Sequence, residues 1–149
     1  MRQSSLSLHP DLIGAWRLER FWYAWPDGRE LEPLGECKGQ LHYMANGYMS
    51  VQLVSCDRQP LGMAPTDDQL VAAFREGFAY CGRWQWDSER EEVCHHLSLA
   101  TIADWDEVTL VRRVTLEGDR LLLGTDAPNL QLPEGGFLTW LEWHRLATV

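Results

Sequence analysis

The chain has 149 residues and a mass of 17.2 kDa, a size that fits one domain whose core removes roughly two thirds of the unfolded surface from water. A formal net charge of -9, a pI of about 4.9 and a single lysine, Lys38, argue against nucleic acid and acidic membrane surfaces as partners, because both need clustered cations. Hydrophobic residues make up 45% and aromatic residues 11%, with eight tryptophans, so large rings are available to line a core or a cavity and disorder is not expected.

The opening stretch MRQSSLSLHPDLIG lacks the continuous apolar run of about 7 to 15 residues that a secretory signal carries, and no segment approaches the about 18 apolar residues of a spanning helix. A cytoplasmic protein is therefore expected. Cys37, Cys56, Cys81 and Cys94 show no CxxC spacing and read as free thiols in a reducing compartment. Residues 13–25, IGAWRLERFWYAW, read as the first strand and end at Pro26-Asp27-Gly28, where proline presets φ and glycine supplies the positive φ of a turn. GQLHYMANGYMSVQLVS gives two more strands about Asn46-Gly47, the dipeptide suited to a two-residue type I′ hairpin.

After the loop PLGMAPTD, Thr66 or Asp67 N-caps a helix predicted over Asp67 to Tyr80, with Leu70, Ala73, Phe74, Gly77, Phe78 and Cys81 at helical spacing. It is expected to flank or plug the structure rather than move as a lid, and its acidic first turn suits the helix dipole. RWQWD, VCHHLSLATI, EVTLVRRVTLE and DRLLLGT follow as strands, and FLTWLEWHRL completes the series after Gly135-Gly136. About eight short strands with one inserted helix predict an all-β, antiparallel up-and-down barrel, since closure removes exposed edges and about eight strands enclose side chains or one small ligand.

Strand alternation then assigns faces. Val93, His95, Leu97 and Leu99 share one side, and Cys94, His96 and Ser98 the other, which sends His95 inward. Leu110, Arg112, Val114 and Leu116 likewise point in, and Leu141, Trp143 and Arg145 lie together in the last strand. A guanidinium in an apolar barrel needs partners, because an unpaired buried ion is costly. The candidates are a ligand carboxylate or carbonyl, ordered water, or inward-facing Tyr43, Ser50 and Gln52. His95 beside Arg112 is expected to stay neutral, by desolvation and like-charge repulsion. His95 and His96 point to opposite faces, so one ion cannot easily take both, and no metal site is expected. Trp84 and Trp86 share a face and either fill the core or line a cavity, whereas Trp105, in the ADWDE loop, suits a barrel mouth.

The segments LIGAWRLERF, PLGECKGQLHYMANGYMSVQL, AAFREGFAYCGRW, VCHHLSLATIADW, LVRRVTLEGDRLLL and LTWLEWHR occur in an order that resembles the bacterial and fungal lipocalin-like domain family of the calycin superfamily. The likeness runs from about Leu12 to Leu146. It implies a small-molecule-binding barrel, and it implies that Gly14-Ala15-Trp16 plays the lipocalin G-x-W part, with Trp16 closing one barrel end against Arg145. A guanidinium stacked on an indole is worth about 0.5 to 2 kcal/mol, so this pair reads as structural. The longer T-D-Y motif of secreted lipocalins has no counterpart here.

Three functions follow from the pattern. The first is a binding module for a small, partly apolar and acidic molecule, with His95, Arg112, Tyr43, Gln52, Trp84, Trp105 and Trp143 as candidate contacts. The second is an isomerase or cyclase of a hydrophobic metabolite, with His95 as general acid-base and Arg112 stabilising an oxyanion. The third, haem binding, lacks the G-x-W-x-G-x-G opening of that barrel group, so no cofactor is expected. A small hydrophobic or amphipathic ligand is the expected partner, and a homodimer is an open alternative.

Overall fold

The computed structural model describes residues 6–125 and 136–149, so Gly135 of the glycine pair and residues 1–5 of the opening stretch lie outside the described residues. A two-residue strand β1 (Leu6–Ser7) leads through a 3-10 turn at Pro10–Leu12 into β2 (Gly14–Ala24). The chain continues through β3 (Glu30–Leu31), β4 (Cys37–Tyr43), β5 (Tyr48–Ser55), helix α1 (Asp67–Phe74), β6 (Gly77–Asp87) and β7 (Glu92–Ala100). A second 3-10 turn, Ala103–Trp105, precedes β8 (Thr109–Glu117), β9 (Arg120–Gly124) and β10 (Leu138–Arg145).

Neighbour pairing runs β2, β4, β5, β6, β7, β8, β9, β10 and back to β2, every step antiparallel, which closes an eight-stranded up-and-down barrel. The short β1 and β3 extend β6 and β2 at the rims. Alternation fills the interior: Trp16, Leu18, Leu41, Tyr43, Val51, Leu53, Trp84, Val93, Leu97, Leu121, Leu123 and Trp143 are all buried. Each such aliphatic or aromatic side chain stabilises by about 1.5 to 3 kcal/mol relative to exposure.

Three sequence expectations change, two of them through a single residue of register. The hairpin after β4 is not a two-residue turn. Met44 N–H bonds Tyr48 O at 2.9 Å and Gly47 N–H bonds Met44 O at 3.0 Å, so Ala45, Asn46 and Gly47 form a three-residue loop with Gly47 at φ 91. The extra residue pairs Tyr43 with Met49 and Gln40 with Gln52, which turns Ser50 and Gln52 to the outside while Tyr43 stays in.

The helix is shorter than its apolar spacing predicts. Thr66 caps it in a capping box with Gln69, it ends at Phe74, and none of its residues is buried. Gly77, Phe78 and Cys81 belong to β6 instead, where Gly77 lies so close to β5 that a Cβ would sit 2.4 Å from the Leu53 carbonyl oxygen. The helix therefore flanks the barrel and does not plug it.

The third change is a β-bulge. Cys81 pairs with Leu99 and Gly82 with Leu97, leaving Ser98 as an extra residue in β7. Val93, His95 and Leu97 point in as expected, but beyond the bulge Leu99 is 58% exposed. Glycine is required opposite the bulge, because a Cβ on Gly82 would sit 2.0 Å from the His96 carbonyl oxygen.

Candidate functional site

Between β2, β6, β8 and β10 the interior is not filled, and a cavity of about 220 Å³ remains. Its walls are Phe21, Tyr23, Phe78, Leu110 and Leu141, with Tyr80, Arg112 and Thr139 as polar groups. Trp105, carried by the 3-10 turn, completes the lining with its ring edge-on to Phe78 at 5.1 Å. Among the described lining residues Arg112 is the only one with a formal charge. A wider hollow of about 520 Å³ lies outside the barrel between Ser7, Asn46, Tyr48, Arg83 and His96, and is more open to solvent.

Arg112 is half-buried, and its hydrogen bond among the described residues is a long one, 3.4 Å to the Val111 carbonyl. It does not sit as a bare ion in the core. Partial exposure keeps the guanidinium hydrated at the cavity it lines.

His95 is 2% exposed and lies deeper than the cavity, behind Tyr80. Its Nε2 is 2.6 Å from the Tyr43 hydroxyl and its Nδ1 is 3.2 Å from the Tyr80 hydroxyl. Burial, then the Arg112 charge, then His96 lower its pKa to about 3, so the imidazole is neutral, as expected from the sequence. One ring nitrogen must therefore donate and the other accept.

The surroundings decide which. Tyr43 is 1% exposed and its hydroxyl has no other hydrogen-bond partner among the described residues. If His95 donated to Tyr43, the Tyr43 proton would be orphaned at a cost of about 1 to 3 kcal/mol. Tyr43 O–H therefore donates to Nε2, and Nδ1–H donates to the Tyr80 oxygen. The Tyr80 proton is left to point elsewhere, and the open side of Tyr80 is the cavity. Burial raises the Tyr80 pKa to about 12 despite the opposing Arg112 charge, so this hydroxyl is a neutral donor at ordinary pH.

The remaining candidates divide cleanly. Trp84 is core: its indole N–H donates to the Met44 carbonyl at 3.0 Å, and its ring packs on Tyr43 at 4.6 Å. Trp143 is also core, 1% exposed, with no partner for its indole N–H among the described residues. Gln52 is on the outer surface, and His96 faces outward to Thr109 and Gln85 at 3.0 and 3.1 Å. Trp105 and Arg112 line the cavity, while Tyr43 and His95 support it from below. Sequence reasoning missed Tyr80, Phe78, Phe21 and Tyr23. The signal was present for two of them, since Phe78, Tyr80, Gly82 and Trp84 alternate at period two, but the helical spacing ending at Cys81 masked it.

At the far end of the barrel the Arg145 guanidinium lies 4.3 Å from the Trp16 ring centroid and hydrogen-bonds the carbonyls of Ile13 and Asp11. The Trp16 indole N–H donates to Leu12 O at 3.0 Å. This end is closed by packing, and the cavity opens elsewhere.

A closed eight-stranded barrel, sealed at one end by a stacked Trp-Arg pair and holding one aromatic interior cavity, defines a calycin-type barrel protein. The chain belongs to the lipocalin-like domain family, whose model matches residues 13–146. It is also similar to the 4'-hydroxy-3'-methoxypropiophenone carrier protein ppsC of Aspergillus oryzae (strain ATCC 42149 / RIB 40), with 29% identity over 92 residues, spanning 56% of this chain and 83% of that protein. No helix among the described residues is long and apolar enough to cross a membrane.

Proposed function

We propose that this protein binds and carries a small, partly apolar molecule of one aromatic ring in the cavity below Trp105, with Arg112 and Tyr80 orienting it. The observation that carries this reading is a cavity walled by aromatic rings whose single cation has no carboxylate partner among the described lining residues. A volume of about 220 Å³ holds about seven waters at about 30 Å³ each, and falls below the roughly 300 to 1,000 Å³ of drug-sized sites, which favours one ring over a fused system. The similarity to a carrier of a phenolic ketone supports the same size and chemistry. The four cysteines, all free, support a reducing compartment such as the cytoplasm.

The isomerase or cyclase alternative has less support. Its acid-base group would be His95, whose two ring nitrogens are both engaged by tyrosines and whose protonation is strongly disfavoured. Titration with propiophenone, followed by tryptophan fluorescence, tests the reading, because Trp105 borders the site. Saturable binding and chromatographic recovery of unchanged ketone are expected. Arg112→Leu is expected to weaken binding about tenfold or more, the value of a charge-assisted hydrogen bond, whereas Gln52→Ala and His96→Ala leave it unchanged. Absence of saturable binding, or equal loss from Gln52→Ala, overturns it.

A further inference from the structure

We propose that Tyr80 and Arg112 form a two-donor cradle for a negatively charged oxygen, so that the cavity takes an acidic phenol as its phenolate, with Tyr43 and His95 positioning the Tyr80 proton. The proposal rests on the cavity being the ligand site and adds the ionisation state of the ligand and the means of its selection.

The hydrogen-bond direction carries the argument. Because Tyr43 donates to Nε2 of His95, Nδ1–H occupies the Tyr80 oxygen, and the Tyr80 O–H is turned toward the cavity as a donor. Arg112, from β8, lines the same cavity and supplies the second donor and a full positive charge. A neutral ether or ketone oxygen can use such donors, but an anionic oxygen gains most, because charge-assisted hydrogen bonds are roughly twice as strong as neutral ones.

The titratable and charged groups facing the site are Arg112 from β8, Tyr80 from β6 and Tyr23 from β2, with His95 of β7 and Tyr43 of β4 behind Tyr80. Burial keeps all three tyrosines protonated well above ordinary pH, and the described lining residues include no carboxylate to repel an anion. The walls that receive the ring are Phe21, Phe78 and Trp105. On binding, the phenol O–H bond ionises, the oxygen keeps the electron pair between the two donors, and the proton leaves to solvent.

The test uses 4-nitrophenol, whose phenolate absorbs visible light and whose phenol does not, with 4-nitroanisole as a neutral control of similar shape. Bound 4-nitrophenol is expected to ionise about one pH unit or more below the free probe, a tenfold or greater preference for the anion. Arg112→Gln and Tyr80→Phe should each return the bound value toward the free one. Tyr43→Phe, which does not touch the cavity, should do the same, because His95 then changes tautomer, accepts from Tyr80 and withdraws its proton from the cradle. The affinity for 4-nitroanisole should change little in Tyr43→Phe, which separates positioning from loss of structure. If both probes bind and the ionisation of 4-nitrophenol is unshifted or raised, the cradle is wrong while the cavity reading stands. If neither binds, both fall. An unaltered shift in Tyr43→Phe removes the positioning role.

Discussion

Acidification should destabilise this protein through one residue. The folded imidazole of His95 protonates only near pH 3, whereas in the unfolded chain it takes up its proton near the ordinary value of 6.5. Between these limits the unfolded state binds more protons than the folded state, so stability is complete above about pH 6.5 and declines as pH falls toward 3. The full shift corresponds to about 5 kcal/mol, and by pH 5 about 2 kcal/mol is already lost. For a chain of this length that loss lowers Tm by about 4 to 8 °C.

Urea unfolding at pH 8 and pH 5 measures the effect, and His95→Leu is the comparison. The leucine variant is less stable near neutral pH, because it strands the Tyr43 hydroxyl and removes the donor to the Tyr80 oxygen, but its pH dependence should be flatter by about 2 kcal/mol over the interval from pH 8 to 5. Equal pH dependence in the two proteins refutes the reasoning. So does an imidazole resonance assigned to His95 that titrates between pH 5 and 8 in the folded protein.

Two more predictions follow from the same geometry. Tyr43→Phe removes the donor to Nε2 and leaves one buried imidazole nitrogen unsatisfied, at a cost of about 1 to 3 kcal/mol; this appears as a Tm lower by roughly 2 to 12 °C, and a fall under 1 °C excludes the hydroxyl as the partner of His95. Gly82→Ala places a Cβ 2.0 Å from the backbone oxygen of His96, which no rotamer change relieves. The cost expected is at least about 1 to 3 kcal/mol in chemical denaturation, with β6 and β7 forced apart at the bulge, and a neutral result would mean that the strands pair there without the bulge.

Strand number and the inward direction of His95 and Arg112 were legible because each depends on local alternation, whereas the stacking of Trp16 on Arg145 was expected only from the family resemblance. What failed was register. One added residue in the loop Ala45-Asn46-Gly47 reversed Ser50 and Gln52, and one extra residue at Ser98 reversed Leu99. Side-chain direction in a strand has a period of two, so a shift of one inverts every later assignment until another irregularity restores it. Tyr80 was lost for a related reason: over Phe74 to Cys81 the apolar positions suit both a helix and a strand, and only pairing with β5 and β7 selects the strand.

The sequence by itself therefore determined the barrel and the inward direction of Tyr43, His95 and Arg112, because period-two patterning and turn chemistry act within a few residues. Tertiary structure alone decided where the cavity lies and which polar groups reach it. Tyr43, Tyr80 and His95 come from three separate strands, and their hydrogen-bond direction exists only once closure has buried the Tyr43 hydroxyl beyond the reach of water.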